Sequence, residues 1–264
     1  MITRDPLTVA DYDRFFRGLF PGKSGDNRTC DGLKAGSLAR KVSRVGVSWM
    51  ATRRVIEQAL KLRTDLIVHH EPLYYTHWDN DAKRRDYESS KLKRKLLAKN
   101  RTAVYRVHDA WDYYPEFGIH DAWVEQLEGI LEPEPARGVC MCAAPSIQFS
   151  SLLSRVRKRM GLEYVLAGGD LSKKIRHVWL GIGALGIAGV EGALEHGADC
   201  LIAGEQVEWE AVRLAEDSGL AIGLVGHCAS ENAGMRKMVD FLQERMPGPE
   251  YYFLDAGHPL KSVR

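Results

Sequence analysis

The sequence predicts an α/β fold of two similar βαβαβ-type halves packed about a pseudo-twofold, with a crevice between them. Three observations carry this. Apolar runs of four to six residues alternate with amphipathic stretches, as parallel strands buried by helices on both faces require. An internal duplication superposes residue 65 on residue 199, so that VIEQALKLRTDLIVHHE (55–71) matches GVEGALEHGADCLIAGE (189–205), with Glu57/Glu191, Ala59/Ala193, Leu60/Leu194, Asp65/Asp199 and Glu71/Glu205 coinciding. Each copy then runs into another helix and strand, AVYRVHDAWD (103–112) and AIGLVGHCASE (221–231), and both end as His, three residues, carboxylate.

Taken in order, the predicted strands are 44–47, 65–68, 103–107, 178–182, 199–203 and 220–225. A helix over 52–61 aligns Val55, Ala59 and Leu62 on one face, with Thr52 placed to cap its first turn. A second over 89–100 gathers Leu92, Leu96 and Leu97 behind a basic face, and a third over 150–160 gathers Leu152, Leu153, Val156 and Met160. The stretch 132–145 (EPEPARGVCMCAAP) is rich in proline and predicts a connection. The division that follows is a first half over 1–131 and a second over 132–264.

Composition narrows the class. At 45% hydrophobic and 27% charged, the 264 residues support a packed core rather than a disordered or fibrous chain. A formal charge of +2 gives no global field for nucleic acid, so partners must be argued from local sites. The longest nearly uncharged apolar run, 178–190, falls short of the roughly 20 residues a membrane span needs. The start, MITRDPLTVADYDRFF, is not patterned as a signal peptide, and five cysteines without CxxC spacing suit a reducing, cytoplasmic setting.

Chemistry concentrates at the carboxyl ends of the predicted strands, where open parallel sheets bind ligands. His69 and His70 follow the run 66–68 directly, and the Glu71-Pro72 turn is expected to let both imidazoles reach the crevice. His227 and Glu231 are one helical turn apart after another strand, and His108 and Asp112 share that spacing. Taken alone, a histidine pair is usually just a strand end, and an HxxxE on a helix is usually a surface pair. Their shared position points instead to a crevice for borderline divalent metals, with enough ligands for two ions. His77, His120, His177, His196 and His258 lack that setting and are expected to be surface or packing residues. Gly181-Ile-Gly183-Ala-Leu-Gly186 has the spacing of a dinucleotide-binding turn, but the next strand ends in Ala-Gly-Glu, favouring a Gly-rich turn that borders the metal crevice. The basic run 83–101 fits a solvated helix face better than a phosphate-backbone track, and Cys140 and Cys142 fit a structural pair.

The strings DGLKAG (31–36), DLIVHHEPL (65–73), VHDAWD (107–112), LIAGE (201–205) and GHCASE (226–231) resemble successive motifs of the Nif-three-like dinuclear-metal family, also called the GTP cyclohydrolase I type 2 family. The resemblance runs from about residue 30 to 255. It implies a two-domain α/β subunit, a toroidal homohexamer, and two divalent metal ions (Zn, Fe, Mn, Ni or Co) between the domains. By motif, the metal ligands would be His69, His70, Asp112, His227 and Glu231, with His108 a close neighbour and Glu205 at the edge, either of which would move a proton. Met50 stands where the family commonly has Asp, Asp109 where it has Thr, and Trp209 where it has His. The extra mid-sequence domain of longer members is missing. The expected function is a dinuclear-metal-dependent hydrolase acting on a nucleotide-like or phosphorylated small molecule through a metal-activated water. The alternatives are a non-catalytic hexameric scaffold that binds or delivers metal, and a nucleic-acid-associated regulator using the basic helix.

Overall fold

A computed structural model describes residues 6–19 and 29–263. Strands and helices alternate along the chain and fall into two compact units, Met1–Gly118 with Met235–Gly257, and Ile119–Gly234 with His258–Arg264.

In the first unit, helix α1 (Val9–Leu19) precedes β1 (Gly32–Ala35), β2 (Arg44–Met50), α2 (Arg53–Lys61), β3 (Leu66–Glu71), the short α3 (Ala82–Arg85), α4 (Glu88–Asn100) and β4 (Ala103–Arg106). Helix α2 begins where the sequence places it, because the Thr52 hydroxyl accepts from the Val55 N–H at 3.2 Å. Val55, Ile56 and Ala59 of α2 and Leu96 and Leu97 of α4 pack on Ile67 and Val104 of the sheet. Phe16 of α1 stacks on Tyr105 with ring centroids 5.3 Å apart. Both faces of β3 and β4 are therefore covered, which explains why their sequences are continuously apolar rather than alternating.

The second unit contains α5 (Ile119–Gln126), β5 (Glu132–Pro133), β6 (Met141–Gln148), α6 (Phe149–Arg159), β7 (Leu166–Gly168), β8 (Lys174–Gly181), α7 (Gly186–Glu195), β9 (Cys200–Ala203), α8 (Arg213–Asp217) and β10 (Ala221–Leu224). The last helix, α9 (His227–Arg245), begins in this unit and ends in the first, and β11 (Glu250–Phe253) then pairs in parallel with β2. The compact units therefore do not follow one cut at 131/132. Residues 119–131 group with the second unit, and 235–257 return to the first to complete its sheet. The proline-rich stretch at 132–145 is not only a connection, since β5 pairs antiparallel with β6. Pro133 is tolerated on the edge strand β5, and Pro145 where the β6–β8 register shifts between Ala143 and Ile147.

The duplication is visible in both sheets. The first has the order β1-β4-β3-β2-β11 and the second β5-β6-β8-β9-β10-β7. In each, three neighbouring strands run parallel (β2, β3, β4 and β8, β9, β10) and the third is flanked by an antiparallel strand, β1 or β7. The coincident aspartates have one task. Asp65 Oδ2 accepts from the Ser43 and Arg44 N–H groups at 2.9 and 3.2 Å, and Asp199 Oδ2 from those of Arg176 and His177 at 2.7 and 2.9 Å. Each carboxylate thus ties the start of its strand to the backbone of the preceding one. Replacing either with alanine strands two backbone donors and is expected to cost about 1–3 kcal/mol in urea unfolding. Asp65→Ala should cost more, because Asp65 also pairs with Arg40.

Lys93 is buried on α4, its Nζ donating to the Leu73 carbonyl at 2.8 Å. Burial pushes its pKa down from the ordinary 10.5 to about 8. Between those values the unfolded chain holds more protons than the folded one, so stability is expected to rise as pH goes from about 8 to 10.5. Lys93→Met should abolish that rise in pH-dependent chemical denaturation. Among the described residues, no helix is long and apolar enough to cross a membrane.

Candidate metal centre

Both histidines of the pair lie within β3 and are fully buried. The strand stays regular through Glu71, so the two rings alternate rather than turning together. His70 Nδ1 donates to the Val107 carbonyl at 3.0 Å, which fixes the tautomer and leaves Nε2 facing Asp112 Oδ1 at 3.2 Å. The His108 ring lies parallel to that of His70, 4.3 Å between centroids, and its Nδ1 is 3.4 Å from Asp112 Oδ2. Donor atoms of His70, His108 and Asp112 all lie within 4.8 Å of one another, a spacing that can hold a metal ion.

His69 is not in that group. Its Nδ1 donates to the Glu71 carbonyl at 2.6 Å, and its Nε2 is buried without a hydrogen-bond partner. Burial first, then the Arg106 charge, hold this imidazole well below the ordinary histidine range. It is therefore a neutral ring with its Nε2 lone pair available, the form a metal requires.

Two residues that sequence reasoning missed build the loop after β4. Asp31 Oδ1 accepts from the N–H groups of His108 and Asp109 at 2.6 and 3.1 Å, and its Oδ2 from that of Ala110 at 3.0 Å. The buried Arg106 guanidinium donates to the His70 carbonyl at 2.7 Å and to the His77 carbonyl. The only trace of the first in the sequence is the leading Asp of DGLKAG. Arg106 sits inside an apolar run where a cation has no signal at all.

The surroundings of His108 include a second group, Cys30, His77 and Asp109, whose donor atoms also lie within 4.8 Å of one another. His77 is exposed, as expected of a surface residue, yet it stands edge-on to His108 at 5.3 Å and so belongs to the site's margin. Asp109, the departure from the family's Thr, accepts from the Cys30 N–H at 3.1 Å and lies 2.9 Å from His108 Nδ1. That imidazole holds its carboxyl well below the usual range, while burial pushes the Cys30 thiol up.

In the second unit, His227 opens α9 with its Nδ1 3.0 Å from Glu205 Oε1 and its Nε2 3.2 Å from Glu231 Oε1. Glu231 is buried and Glu205 largely exposed. The glycine-rich turn shapes this pair. The Gly183 N–H donates to Ser230 Oγ at 3.0 Å, its carbonyl accepts from the Glu205 N–H at 3.0 Å, and its φ is +52°. A Cβ there would overlap Glu231 Oε1 and stand 2.8 Å from His227 Nε2. The turn thus borders the histidine–glutamate pair. The five cysteines are all buried, Cys140 and Cys142 included.

A family model described as Duf34/NIF3 (NGG1p interacting factor 3) matches residues 7–257. Two curated relatives named GTP cyclohydrolase 1 type 2 homolog are similar. One from Pseudomonas aeruginosa is 28% identical over 83% of this chain and 86% of its own, and one from Archaeoglobus fulgidus is 22% identical over 94% and 98%. A solved Bacillus cereus protein related to NIF3 superposes with a TM-score of 0.80 at 15% identity, covering 98% of this chain and 100% of that one.

Proposed function

Since this chain belongs to the Duf34/NIF3 family, we propose that it is a dinuclear-metal-dependent hydrolase of a nucleotide-like or phosphorylated small molecule. The observation that carries the reading is the convergence of His70, His108 and Asp112 donor atoms at the carboxyl end of parallel strands. His69, with its neutral ring and unpartnered Nε2, fits a ligand role, and His227 with Glu231 offers a second imidazole–carboxylate pair. In this proposal His69, His70, Asp112, His227 and Glu231 hold two divalent ions. Ions held there would lower the pKa of a water and polarise the bond under attack.

The remaining work falls to this chain's own groups. Asp112 and Asp109 beside His108 Nδ1, and Glu71 Oε1 at 3.8 Å from its Nε2, let His108 pass a proton along the site. Glu205 touches His227 and is exposed enough to exchange protons with water. The names of the relatives suggest a nucleotide ring as substrate, and a homohexamer is proposed from the family resemblance alone, to be checked by light scattering. A reducing, cytoplasmic setting is proposed from the five cysteines without CxxC spacing.

A hydrolysis screen over nucleotides and phosphoesters tests the reading. Turnover should vanish on chelation, return with one of Zn, Fe, Mn, Ni or Co, and fall about 100-fold or more in His108→Ala. Protein loaded with metal that turns over nothing in the screen would favour the metal-delivery scaffold instead.

A further inference from the structure

Apart from the metal ligands, the first unit carries a cleft of about 880 Å³ along its edge strand β1, beside α4. Its rim is cationic, with Lys34, Arg40, Lys41, Arg85, Arg94 and Arg101 and no lining carboxylate among the described residues. Of the six, only Arg40 forms an ion pair among the described residues, with Asp65. Its floor is apolar, from Ala35, Ala39, Leu97 and the face of the buried Tyr74.

Arg85 and Arg94 are held in place rather than waving in solvent. The guanidinium carbons of Arg85 and Arg94 stand 5.0 and 5.8 Å from the Tyr74 ring centroid, and Arg94 Nη1 donates to the Arg85 carbonyl at 2.7 Å. Lys34 is half-buried, and burial pushes its ammonium below the ordinary lysine range. Gly36 lets the edge strand close on β4, since a Cβ there would stand 2.7 Å from Ala103 Cα. Like charges converging on one concavity repel one another, and a bound polyanion relieves that repulsion. The volume is that of a small-molecule site, and an apolar floor under a cationic rim matches a ligand with a flat, weakly polar body and clustered negative charge. The basic run 83–101 is therefore more than a solvated face, because Arg85, Arg94 and Arg101 turn toward this cleft.

We propose that this cleft is a binding site for a phosphorylated small molecule of nucleoside-diphosphate type, separate from the metal ligands. The two phosphates sit among the rim cations and the ring body lies on the apolar floor. Nothing in this depends on the hydrolase reading.

Calorimetric titration of the protein as purified, with ADP as probe and with pyrophosphate and adenosine for comparison, tests it. ADP should bind at one equivalent per chain, pyrophosphate more weakly and adenosine weakest. Lys41→Glu/Arg94→Glu should weaken ADP about tenfold or more, while the same charge reversal outside the cleft, Lys61→Glu at the end of α2, should leave its affinity unchanged. The single variant Arg94→Gln, milder for folding, should shift affinity in the same direction if the double variant fails to fold. Absence of ADP binding, or loss in Lys61→Glu with none in the cleft variants, would overturn the proposal. So would a single-stranded oligonucleotide that binds more tightly and displaces ADP, since the face would then be a nucleic-acid track.

Discussion

Gly183→Ala is expected to destabilise the protein by about 2–4 kcal/mol and to strip metal from the His227–Glu231 pair. The backbone at Gly183 has φ +52°, which costs a side-chain-bearing residue energy before any contact is counted. The added methyl would then overlap Glu231 Oε1 and crowd His227 Nε2, both on the rigid first turns of α9. Because the Gly183 N–H and carbonyl are both engaged, by Ser230 and by the Glu205 N–H, the turn cannot swing aside without breaking them. Gly186→Ala is the contrast. It also has positive φ, but a Cβ there meets open space, so metal retention should persist despite a smaller loss of stability. Thermal melts with and without chelator, together with ion content, separate strain from ligand loss.

Asp31→Ala is expected to have the next largest effect, about 2–3 kcal/mol, with a loosened His108 and Asp112. One carboxylate satisfies three consecutive backbone donors in the loop that carries both side chains. Asp31→Asn keeps an oxygen and should recover part of the stability but less of the metal affinity, because an amide cannot accept on both sides. Hydrogen exchange of residues 107–112 is the readout. Faster exchange confined to that loop fits an anchoring role, and unchanged protection there would contradict it.

How far the sequence reveals this molecule depends on the range of the interactions involved. Local signals are legible. Thr52 caps α2, the apolar runs become the parallel strands, and Asp65 and Asp199 mark the duplication that both sheets display. Polar groups at the strand ends are legible too, and His70, His108 and Asp112 do converge. Non-local pairing is not. Strand β11 reaches back across the chain to β2, and no periodicity in its four residues reveals its partner. The Glu71-Pro72 turn is expected to let both imidazoles of His69 and His70 reach the crevice, but ladder bonding carries the strand past both. His77, in a loop with no periodic signal, stands edge-on to His108 with its carbonyl held by Arg106.

Metal analysis of protein purified without added metal, then reconstituted with Zn, Fe, Mn, Ni and Co in turn, tests the dinuclear proposal most directly. Close to two divalent ions per chain are expected, falling sharply in His70→Ala and in Glu231→Ala, while His177→Ala keeps both because its ring is engaged by Glu134 away from either ligand group. One ion or none after every reconstitution, or two ions retained in both His70→Ala and Glu231→Ala, would contradict it.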